Sequence, residues 1–141
     1  MPDIIHQLNI TANSPQDIYW ALTMPERLAH WWTRDVRGDS AVGSILEFGF
    51  NERGTVLRMQ VTELVTDGHV AWHCLGNNPE WINTNLTFDL SQNNDGAVLR
   101  FAHRDWKSSE GIFGECSYDW AQYLRSLKLY LETGSGHPHP G

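Results

Sequence analysis

The residue best placed for chemistry is His103. It follows Leu99 and Phe101 at spacing two and alternates with Arg100 and Arg104, so strand parity turns its imidazole inward. A neutral imidazole facing an apolar interior could fix one polar atom of a ligand or donate a proton. A core histidine bonded to Tyr123 or to a backbone carbonyl explains the position equally well. Thr84, alone among apolar neighbours on its face, is a weaker anchor of the same kind, and Tyr123 could present a phenol. His69, His73 and Cys74 suggest a metal by residue type alone. Four residues apart on a strand, the two histidines stand about 13 Å from each other, and Cys74 points to the opposite face. Asp105 and Glu110 near Trp106 could pair as carboxylates, or form a solvated turn. The chain has no G-x-S-x-G elbow, no phosphate-cradling glycine loop and no H-E-x-x-H. No metal or cofactor is expected.

The elements that must position these groups follow from periodicity. Ile4, Leu8 and Ile10 share one face of a first strand, with His6 the exception on that face. Asn13-Ser14-Pro15-Gln16-Asp17 then starts a helix: Ser14 can cap, Pro15 suits the first turn, and Asp17 sits near the positive helix end. That helix carries Ile18, Tyr19, Ala21 and Leu22 and stops before Pro25, where a second short helix runs to about Trp31. From Ala41 the period is two. Leu46, Phe48 and Phe50 face inward, then Leu57, Met59 and Val61, then Val70, Trp72 and Cys74. After the loop Gly76-Asn77-Asn78-Pro79, the residues Ile82, Thr84, Leu86, Phe88 and Leu90 line one face, followed by Leu99, Phe101 and His103. Short strands joined by Gly/Asn/Asp turns predict an antiparallel meander with one buried side. From about Ser109 to Glu132, Phe113, Cys116, Trp120, Tyr123, Leu124, Leu127 and Tyr130 fall on one arc of a helix that Gly134 ends. The Gly/Pro/His residues beyond it, with His137 and His139, are expected to form a flexible end.

Charge and composition exclude several classes. The 141 residues include 10 basic and 17 acidic side chains, a net charge of −7. A nucleic-acid partner needs a basic stripe, and Arg34/Arg37 and Arg104/Lys107 are each interleaved with aspartate. No apolar run approaches the roughly 20 residues that cross a bilayer, and Met1-Pro2-Asp3 is not a charged signal start, so a cytoplasmic protein with reduced Cys74 and Cys116 is expected. A chain of this length can hide about two-thirds of its surface, enough for one core and one domain spanning residues 1–141. The outstanding number is seven tryptophans. Each brings a large apolar surface and an N–H that needs a partner.

In this order the pieces resemble the START-like, or SRPBCC, superfamily. Within it they are most similar to the branch of homologues of the heat-shock-protein ATPase activator. The resemblance is carried by Ser14-Pro15 with Ile18-Tyr19-Trp20-Ala21-Leu22-Thr23, by Pro25-Glu26-Arg27-Leu28 leading to Trp31-Trp32, and by Val70-Ala71-Trp72. It continues through Leu99-Arg100-Phe101 with His103, Trp120, and the closing run from Leu124 to Gly134 with Gly136 and Pro138. It implies a helix-grip α+β fold: a curved antiparallel sheet wrapped round a long C-terminal helix, with two short helices after the first strand. It also implies an apolar cavity between sheet and helix, with Trp31 and Trp32 at one end. Stiff rings fill gaps poorly, and only three methionines are present to compensate. A void on the order of 300–1,000 Å³ is therefore expected. Its walls would be Trp31, Trp32, Phe48, Phe50, Met59, Trp72, Phe88, Phe101, Phe113 and Trp120, with Thr84, His103 and Tyr123 as polar anchors.

Three functions compete. The first is binding of a small apolar or aromatic molecule. The second is a cyclase or dehydratase acting on a polyketide-like substrate, with His103 as proton donor. The third is an interaction module, for a chaperone or as a homodimer, using the sheet's outer face. That face carries Arg58, Gln60, Asn83, Asn85, Asp89 and Arg100, a polar set poorly suited to an obligate interface.

Overall fold

A computed structural model describes residues 2–11, 14–76 and 78–141. Asn13 of the helix-start signal and Asn77 of the loop after the Trp72 strand lie outside the described residues. The chain runs β1 (Ile4–Thr11), α1 (Pro15–Thr23), α2 (Pro25–Leu28), β2 (Asp35–Gly38), β3 (Ile45–Phe50), β4 (Thr55–Val65), β5 (His69–Gly76), β6 (Asn85–Asn93), β7 (Gly96–Arg104) and α3 (Phe113–Thr133). The seven strands form one antiparallel sheet in the order β1-β7-β6-β5-β4-β3-β2. This is the helix-grip α+β fold.

Alternation decides which face is buried. Leu46 and Phe48, Leu57, Met59 and Val61, Val70, Trp72 and Cys74, Leu86 and Phe88, and Leu99, Phe101 and His103 all point to the covered side. The register of β4 on β5 slips between Arg58 and Met59 and again between Val61 and Glu63. Such bulges bend a strand and increase its twist, which lets the sheet curl round α3. Cys116, Trp120, Leu124 and Leu127 of α3 close the core, and Ile18, Ala21, Leu22 and Leu28 of the short helices complete it.

Four local differences from the sequence reading have physical causes. The edge strand β2 was not expected: Asp35-Val36-Arg37-Gly38 offers a single apolar residue, so no alternation marks it. Strand β6 begins at Asn85, because Asn83 adopts a left-handed φ of 67° and Trp81–Asn83 turn instead; Ile82 is therefore exposed rather than part of the inward row. Helix α3 begins at Phe113, four residues later than expected. Gly111 takes φ 67°, and the Glu80 carboxylate accepts the Ile112 N–H at 3.2 Å, which suits an anion at the positive helix end. The segment after Gly134, expected to be a flexible end, lies against the chain that follows α2. The His139 N–H donates to Trp32 O at 2.8 Å, Arg34 N–H to His139 O at 2.9 Å, and His137 N–H to the Ser126 hydroxyl at 2.7 Å.

Candidate functional site

A cavity of about 260 Å³ opens at one end of the seam between α3 and the sheet. Five parts of the fold meet there. Helix α3 contributes Cys116, Asp119, Trp120 and Tyr123, spaced i, i+3, i+4 and i+7, so they share one helix face. The β3–β4 hairpin contributes Phe50, Asn51, Thr55 and Leu57, the β5–β6 loop Trp81, and the chain after α2 Trp32. His139 of the C-terminal segment closes the rim, its ring 5.1 Å from that of Phe50 in an edge-on contact.

Aromatic faces make most of the wall. The Trp81 and Trp120 rings lie 6.1 Å apart at 22°, and Trp32 meets Trp120 at 5.0 Å and Phe50 at 6.2 Å. At the floor the Trp81 indole N–H donates to the Cys116 sulfur at 3.3 Å. Burial pushes the Cys116 thiol up from its ordinary pKa, the Trp81 contact opposes this, and Asp119, Glu80 and Glu115 add to it. Cys116 is thus held as a thiol, not as the thiolate nucleophile. Burial, with the nearby Asp119 carboxylate, likewise raises the Tyr123 phenol.

Of the residues expected to surround a central void, Trp32, Phe50, Trp120 and Tyr123 line the cavity. Trp31, Phe48, Met59, Trp72, Thr84, Phe88, Phe101 and His103 do not; they are buried in packed core. The wide void in the middle is a correction to the sequence reading, and ring geometry gives the reason. Centroids stand 4.1 Å apart for Trp32–Phe48, 5.6 Å for Phe48–Trp72, 5.0 Å for Trp72–Phe88, 5.2 Å for Phe88–Phe101 and 4.5 Å for Phe101–Trp120. Tilted and edge-on contacts at these distances bring the rings against one another across the middle. Trp31 stacks on Trp32 and donates its N–H to Ala21 O at 2.9 Å, which ties it to α1. Phe113 is half-buried and packs edge-on against Trp106 at 5.2 Å.

His103 is completely buried, and both ring nitrogens are engaged. The Trp120 indole N–H points at Nδ1 (3.2 Å), so Nδ1 accepts and the proton resides on Nε2. Nε2–H then donates to the Thr84 hydroxyl at 2.8 Å, which in turn donates to Trp81 O. Burial without a compensating charge lowers the His103 pKa to about 3. The imidazole is neutral across the physiological range and fastens α3, β7 and the β5–β6 loop together. It offers no free nitrogen to a ligand, which removes it as polar anchor and as proton donor in this geometry.

Comparison with known proteins agrees with the architecture. The family model for "Activator of Hsp90 ATPase homolog 1-like protein" matches residues 12–132. The chain belongs to this family. The solution structure of the Aha1 dimer from Colwellia psychrerythraea is similar at 37% identity and TM-score 0.89, covering 96% of this chain and 100% of that one. The protein SSP2350 from Staphylococcus saprophyticus shares the fold at 17% identity and TM-score 0.80, over 99% and 98% of the two chains. CalU16 from Micromonospora echinospora does so at 16% and 0.73, over 96% of this chain and 75% of that one. No curated protein sequence matches the chain.

Within this family member, sequence reasoning missed seven wall residues: Asn51, Thr55, Leu57, Trp81, Cys116, Asp119 and His139. Periodicity places Leu57 and Cys116 only in the core. Asp119 carried a usable signal, lying three residues after Cys116 and four before Tyr123 on α3. Trp81 and His139 carried none, because a loop and a terminal segment have no periodicity to orient them.

Proposed function

We propose that this protein binds a small apolar or aromatic molecule in the cavity between the β3–β4 hairpin, the β5–β6 loop and α3. The observation that carries the reading is a 260 Å³ space walled by Trp32, Phe50, Trp81, Trp120 and Tyr123. It lies beside a core whose other rings pack against one another. Flat rigid rings give contact area at little entropic cost, and a few polar groups at the rim orient a guest. The enzyme reading finds less support, since His103 is committed to Thr84 and Trp120.

The test follows indole N–H resonances in ¹H–¹⁵N spectra during titration with phenol or indole. Shifts concentrated on Trp32, Trp81 and Trp120 are expected. Thr55→Trp, at an exposed position on the rim, should fill the space and abolish them without disturbing the core. Shifts spread evenly over all seven indoles, or none at all, would overturn the reading.

A second reading, homodimerisation, is favoured by the relative of 37% identity whose structure is that of a dimer. Tyr118 is 66% exposed on α3, which places a large ring on the outside. Sedimentation velocity across a concentration series would show a dimer; a single monomeric species at high concentration would exclude a stable one.

A further inference from the structure

Resting on the cavity reading above, we propose that the preferred occupant is an organic cation, an alkylammonium head carried on a small apolar body. Aromatic faces surround the space, and a cation over an indole or phenol face is attracted by the ring quadrupole. A carboxylate stands at the rim: Asp119 is exposed on α3 and lines the cavity.

What Asp119 does not do is the telling part. Among the described residues it forms no hydrogen bond and no ion pair. Asp35 is held by Arg53 and Arg37, Asp89 by His69, Asp3 by Arg104, and Asp105 accepts from Asn85; among the described residues the Asp95 carboxylate also lacks an ion pair, but the groove it lines holds no aromatic ring. No lysine or arginine lines the cavity among the described residues. Arg125 belongs to an adjoining groove of about 320 Å³ that shares Tyr123 and His139 with it. Glu80 and Glu115 lie close enough to act on the Cys116 thiol in the same sense as Asp119, so the local field is negative. An anionic guest would be repelled by that field, a neutral one would gain only area, and a cation would gain both terms.

Three probes of one shape separate these cases: choline, its neutral carbon analogue 3,3-dimethylbutan-1-ol, and anionic 3,3-dimethylbutanoate. Each is titrated into the full chain at low ionic strength while the indole N–H resonances of Trp32, Trp81 and Trp120 are followed. Choline is expected to bind at least tenfold more tightly than the alcohol, and the butanoate least. Asp119→Asn should cut choline affinity at least fivefold while leaving the alcohol's in place, and added salt should weaken choline alone. An alcohol that binds as well as choline, or an Asp119→Asn protein that binds choline as the parent does, would overturn the proposal. In that event phenol or indole binding would still uphold the cavity. Failure of every probe, phenol and indole included, would remove both.

Discussion

One imidazole joins α3, β7 and the β5–β6 loop, and its chemistry makes stability depend on pH. His103 titrates near 6.5 when unfolded and near 3 when folded, so between those values the unfolded chain binds the extra proton. Its contribution is complete above pH 6.5 and is lost as pH falls through that window, by up to about tenfold in the folding equilibrium constant per pH unit. Denaturant melts between pH 4 and 8 should show this slope. His103→Gln, whose amide can keep both hydrogen bonds but does not titrate, should flatten the profile by close to one proton. A lower window belongs to Asp35: burial raises its pKa, but hydrogen bonds from Arg53 and Arg37 outweigh it and the net shift is downward. Its contribution is present above the unfolded carboxylate value and fades only below it. The inward direction of His103 could be read from strand parity. Its partners could not, because Trp120 and Thr84 are 17 and 19 residues away and nothing local points to them.

Among the elements, α3 was the most legible, since its apolar arc fixed the face that closes the core. The arc did not reveal Ser126, a buried serine whose hydroxyl donates to Trp31 O at 2.8 Å and accepts the His137 N–H. That single group fastens the chain after α2 and the terminal segment to the same helix. Ser126→Ala should strand the buried Trp31 carbonyl and leave the His137 amide without its partner, at a cost of about 1–3 kcal/mol. Amide exchange at His137 and His139 should accelerate well beyond the global change, and unchanged exchange there would show that the segment is held by other contacts. The strands were readable wherever apolar residues alternate. Strand β2 escaped notice because an edge strand paired on one side only has little to bury. The β5–β6 connection was misread because a left-handed asparagine looks like any other polar residue in sequence.

For the molecule as a whole, composition told that many rings must be accommodated but not how. The same tryptophans are compatible with a hollow centre or with an interlocked one, and the choice depends on tilts that only the assembled sheet imposes. The space that remains is peripheral and small, which sets a size limit on any guest. In a series of phenol, 2-naphthol and 1-pyrenol, affinity should rise from the first to the second as more area is buried, then fall at least tenfold for the third. Fluorescence quenching or calorimetry would measure the series. A steady increase through 1-pyrenol would mean that the walls yield.

The rim described above is assembled from residues 32, 50–57, 81, 116–123 and 139, stretches that meet only when the entire polypeptide has taken its final shape. No fragment or half-formed intermediate carries a receptor, so a guest recognises nothing but the finished molecule. By mass action it would then act as a pharmacological stabiliser, raising the melting temperature with dose and shielding even β1, which contributes no wall residue, from proteolytic attack.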